Sequence, residues 1–197
     1  SMANPAITEH IFNSPVTILA KYDLKKELDL EKYNSENLSF QKASNLTGSY
    51  MGTYGLSSML FALILTIYTS KRRINRKMIH LFSLILGGIG FLSMYYITNH
   101  TYLIISFGLI GISWGSILSM PYAMLSSSVD EDSMGTSMGI FNMFIVIPQI
   151  IAAIGGINLL TFLIGDKPIF SMIIAGLALI IAGLFNLLIN DKKTISN

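Results

Sequence analysis

From residue 46 onward the chain alternates long apolar stretches with short polar breaks. Five runs stand out, at 46–70, 79–97, 102–127, 136–164 and 169–190. About 20 helical residues are needed to cross the hydrocarbon core of a bilayer. Each run meets or approaches that length, and the fourth has residues to spare. None carries Asp, Glu, Lys or Arg in its interior. Barrel strands alternate polar and apolar residues over about ten positions, and these runs do not. The pattern predicts an all-α membrane protein, with five transmembrane helices in one bundle over 46–190. The block 1–45 differs. Its centre, KYDLKKELDLEKYNSEN, mixes both signs of charge and reads as a solvated loop or a short surface helix. The last residues, 191–197, read as a polar tail.

Composition agrees with this division. The chain has 197 residues, 52% hydrophobic and 12% charged, with a mean hydropathy of +0.59. Soluble domains carry about 25% charged residues, so an integral membrane protein is expected. The formal net charge of +2 gives no reason to expect a nucleic-acid partner. Cysteine is absent, which excludes disulfides and thiolate metal sites. The chain begins Ser1-Met2, which reads as a cloning scar or an internal cut.

Basic residues predict orientation. The loop KRRINRK holds Lys71, Arg72, Arg73, Arg76 and Lys77, and the tail holds Lys192 and Lys193. The positive-inside bias puts both in the cytoplasm. With five crossings, 1–45 falls outside. A multi-pass protein of the plasma (inner) membrane with a cytoplasmic C-terminus is the expectation.

The chemistry within the runs is neutral. Apart from His80, read as lying at a cytoplasmic edge, the embedded part has no acid or base. An intramembrane hydrolase needs a nucleophile with a base, or a metal held by His and carboxylates. No enzyme, metal or cofactor is therefore expected. A proton or sodium relay usually uses a buried carboxylate, so any coupling cation would bind outside this segment. What remains are aromatic rings and amides. Tyr50 and Tyr54 lie four apart on the first helix, and Trp114 and Tyr122 eight apart on the third. Asn142 and Gln149 are seven apart, two turns along one face of the fourth. Rings stack on the apolar faces of a sugar and amides bond its hydroxyls. Such groups suit a neutral polyol. The plainer reading is that the amides lock helices together, with Tyr50 an interfacial anchor and the methionines packing filler. Pro121 and Pro148 lie deep in successive helices and are candidate hinges, or simple bends. Gly48/Gly52, Gly111/Gly115 and Gly135/Gly139 have the spacing of close helix approach.

The segments SWGSILSMPYAMLSSSV and MGTSMGIFNMFIVIPQIIAAIGG resemble the tenth and eleventh helices of sugar symporters in the major facilitator superfamily. The similar branch is that of the glycoside-pentoside-hexuronide:cation symporters and their sucrose- and maltose-transporter relatives. The resemblance rests on Pro121-Tyr122-Ala123, Gly139, Asn142 and Pro148-Gln149. Upstream, NPAITEHIF resembles the end of the seventh helix, and NRKMIHLFSLILGGIGFLSMYYI the basic loop and ninth helix. The resemblance implies that the five runs match helices 8–12 of that fold. It implies a sugar substrate, a di- or oligosaccharide in that family's range, moved by alternating access with a proton or sodium ion. Carried onto this chain, it implies Tyr54, Trp114, Tyr122, Asn142 and Gln149 as candidate substrate-binding residues. It also implies partners: the missing N-terminal helices or another chain, and membrane lipid. The alternative is a truncated, transport-inactive module with a structural or partner-binding role.

Overall fold

A computed structural model describes residues 27–71, 74–156 and 169–189. Over these it is helical: α1 Glu27–Lys71, α2 Arg76–Tyr96, α3 Leu103–Ser126, α4 Met134–Ile151 and α5 Ile169–Asn186. Short 3-10 turns, His100–Tyr102 and Glu131–Ser133, lead into α3 and α4, and a π-helical turn, Ala152–Gly156, follows α4. All five helices are long and apolar enough to cross a membrane. The first 26 residues, the middle of the basic loop, 157–164 of the fourth run and the tail lie outside the described residues, as does the NPAITEHIF segment.

The element ends follow from local chemistry. Asn75 caps α2, its side chain accepting from the Met78 amide at 3.1 Å, which satisfies one of the free donors of a helix start. Asn99 does the same for Thr101 at 3.0 Å and shapes the turn between α2 and α3.

The first helix departs from the sequence reading. There is no break at 45/46; α1 runs through it for 45 residues, about 68 Å at ~1.5 Å per residue. That is more than twice the ~30 Å hydrocarbon core. The polar stretch from Glu27 to Asn45 contains no Gly or Pro, and about half of it is Leu, Glu, Lys, Gln or Ala, which favour helix. A change of polarity is not a change of backbone conformation, so the helix continues.

The helices line up in the order α1, α3, α2, α5, with α2 and α3 inside. Small residues set each seam. Between α2 and α5, a methyl group on Gly88 would lie 2.8 Å from the Gly176 carbonyl oxygen, and one on Gly176 would lie 2.8 Å from that of Gly88. Between α2 and α3, Gly87 abuts the Ser113 side chain and Gly90 the Ser106 carbonyl. Between α1 and α3, Gly111 abuts the Tyr54 carbonyl and the Ser57 hydroxyl, and a methyl on Gly115 would lie 3.0 Å from the Ser58 carbonyl. Close backbone approach is how helices gain contact where lipid tails are as apolar as the side chains. Of the three spaced pairs read from the sequence, only Gly111/Gly115 is shown in such a seam. Gly52, Gly135 and Gly139 face open space.

One core cluster lies at the end marked by the α2–α3 turn. Met94, Leu103, Phe107, Ile110, Ile169 and Met172 are buried there, with Tyr50, Met51 and Tyr54 of α1 packed on it. The fourth helix stands apart. It meets α3 over a short stretch, none of its residues is buried, and Phe144 is 75% exposed.

Candidate functional site

The five candidate residues fall into two pairs and a single. Tyr54 and Trp114 face each other across α1 and α3, ring centroids 6.2 Å apart and tilted by 49°. Gly111 explains the meeting. It precedes Trp114 by one helical turn, and its lack of a side chain brings α1 close at the Tyr54 carbonyl. Trp114 remains 43% exposed.

The second pair bridges α3 and α4. The Tyr122 hydroxyl donates to Asn142 Oδ1 at 2.5 Å. The Tyr122 ring meets Phe141 edge-on, with centroids 4.9 Å apart at 77°. Tyr122 lies eight residues beyond Trp114, about 12 Å along the same helix. Both Asn142 and Gln149 are exposed. Gln149 makes no side-chain hydrogen bond among the described residues. Tyr50 stacks on His100 of the α2–α3 turn, its hydroxyl 3.3 Å from the His100 Nδ1.

Both prolines sit inside helices. Each lacks the N–H that its turn would use, so the carbonyls of Ile117 and Phe144 lose their usual helical donors. The π-helical turn begins four residues after Pro148.

Three features were not read from the sequence. His80, one turn from the start of α2, is 7% exposed, with Nδ1 2.8 Å from the Ser116 hydroxyl. Arg76 reaches across to the end of α3, donating to the Ala123 carbonyl at 2.7 Å and the Ser127 hydroxyl at 3.0 Å. A cation there also complements the negative end of the helix dipole. Asn186 donates from Nδ2 to the Lys77 carbonyl at 2.7 Å, joining α5 to α2. The signal for the first and last was present: one ionisable group and one amide inside otherwise apolar runs. Their partners are 36 and 109 residues away, which no local pattern reveals.

The α2–α3 seam carries further neutral polar groups. Ser93 and Ser106 are 2.7 Å apart, and the buried Ser113 hydroxyl has no partner. Among the described residues no three His, Cys, Asp or Glu side chains come together to hold a metal. The groups on the open faces are therefore suited to stacking and neutral hydrogen bonding. No family model, curated protein or solved structure matches this chain.

Proposed function

We propose that the chain is the C-terminal part of a secondary active transporter that moves a sugar by cation-coupled alternating access. The observation that supports it best is the pairing of neutral hydrogen-bonding and aromatic side chains on acid-free apolar helices. Tyr54 and Trp114 offer an aromatic face, and Tyr122 and Asn142 offer a hydroxyl and an amide. In this reading the cargo stacks on Trp114 and bonds Asn142 and Gln149. Pro121 and Pro148 let α3 and α4 bend between states. The exposed α4 packs against helices that this chain does not contain, and those helices bind the coupling proton or sodium ion.

The chain has one tryptophan, so binding is measurable directly. Sucrose or maltose titrated onto the purified chain in nanodiscs should shift Trp114 emission saturably, and Asn142→Ala should weaken the response about tenfold. Unchanged emission with every disaccharide up to solubility would sink the sugar site. A second reading draws on the Tyr122–Asn142 bond, which already occupies the amide oxygen. There the amide locks α3 to α4, and the chain is a structural or partner-binding membrane module that moves nothing. Co-expression with a six- or seven-helix N-terminal part separates the two. Uptake favours transport, and a stable complex without uptake favours the module.

A further inference from the structure

At the end of the bundle nearest the basic loop, α2, α3, α4 and α5 surround an open cleft of about 620 Å³. That is within the ~300–1,000 Å³ typical of ligand pockets, which are mostly apolar with a few placed polar groups. The walls include Leu84, Leu125, Phe141 and Phe185, and the polar lining is His80, Ser128 and Asn186. Among the described residues, no Asp, Glu, Lys or Arg lines it.

Two independent observations point to an occupant. Asn186 is 4% exposed. Its amide nitrogen is used by the Lys77 carbonyl, while its Oδ1 is buried with no hydrogen-bond donor. A buried acceptor left unpaired is destabilising. His80, which lines the cleft, engages Ser116 through Nδ1, and its Nε2 makes no hydrogen bond among the described residues. Asn186 and His80 both line the cleft, and between them they offer an acceptor and a ring nitrogen, the complement of an alcohol hydroxyl.

We propose that this cleft binds an uncharged amphiphile from the bilayer, with its hydroxyl head on His80 and Asn186 and its alkyl body along Leu84, Leu125, Phe141 and Phe185. Charge complementarity selects a neutral head. Among the described residues of the wall a carboxylate or ammonium would be desolvated with no counter-charge. A sugar fits poorly, because three polar side chains cannot satisfy a hydroxyl on nearly every carbon. The site does not depend on the sugar reading: neither Asn142 nor Trp114 lines it.

The test uses the full chain in phosphatidylcholine nanodiscs with ¹³C-methyl methionine. Met124 lines the cleft, while Met172 is buried in the core cluster at the other end. Met124→Leu assigns the reporting resonance. Titration with 1-decanol should shift Met124 saturably and leave Met172 still. Decane and decanoate should bind at least tenfold more weakly. Ala182→Phe, which fills the cleft from α5 and spares the hydrogen bonds, should abolish the shift. Asn186→Leu should reduce decanol to the level of decane. The proposal is overturned if decane matches decanol, if Ala182→Phe leaves the shift intact, or if Met124 does not saturate or moves in parallel with Met172.

Discussion

Gly88 and Gly176 meet backbone to backbone, and each leaves no room for a side chain on the other. A methyl on either would stand 2.8 Å from the opposite carbonyl oxygen, and Ile180 and Leu92 close the sides. This contact holds α5 on α2 and so fixes one wall of the cleft. Gly88→Ala or Gly176→Ala should destabilise the bundle by about 1–3 kcal/mol through overpacking. Gly52→Ala, which faces open space, should be neutral or stabilising by up to ~1 kcal/mol. Reversible unfolding in mixed micelles measures both. Equal effects at the two positions would contradict the packing described.

The His80–Ser116 bond joins the two inner helices. A double-mutant cycle with His80→Ala and Ser116→Ala should give a coupling energy of about 0.5–2 kcal/mol. Additive single effects would mean that the bond contributes nothing to stability.

Arg76 has two acceptors at the end of α3. Arg76→Gln should cost about 1–3 kcal/mol, since hydrogen bonds from a charged donor are the stronger kind. Arg76→Lys should recover only part of it, because an ammonium cannot reproduce the two-pronged guanidinium geometry. Full rescue by Lys would show that charge alone matters.

Tyr122→Phe removes the hydroxyl that α3 offers to Asn142 and keeps the ring against Phe141. Spin-label distances between α3 and α4 should broaden, with a stability loss of about 0.5–1.5 kcal/mol. Under the sugar reading the freed amide should still support the Trp114 emission response. Loss of that response with unchanged distances would assign the hydroxyl itself to the ligand.

Orientation is open to a direct check. Asn99→Cys, in the α2–α3 turn, should react with an impermeant maleimide from outside intact cells. Asp130→Cys, between α3 and α4, should react only after permeabilisation. The reverse pattern would invert the topology expected from the basic loop.

Much of the architecture was legible in the sequence, since helices of this kind are specified locally. The second, third and fifth runs coincide with α2, α3 and α5 to within a few residues, because an apolar run ends where polar capping residues such as Asn75 and Asn99 begin. The start of α1 was not legible, because helix propensity continues through a change of polarity. Of the candidate site, the residue types were legible and the partners were not. Eight-residue spacing set Trp114 and Tyr122 on one helix, yet the structure gives each a different neighbouring helix.

The sequence alone determined how many helices are long and apolar enough to cross a membrane, and that their interiors are nearly free of charge. Both depend on the order of residues within each segment. Only the tertiary structure decided which helices are neighbours, and that His80 and Asn186 face one cleft. Glycine spacing marks where a helix can be approached closely but does not name the partner. That choice depends on which small surfaces, such as Gly88 and Gly176, fit together across long separations in the chain.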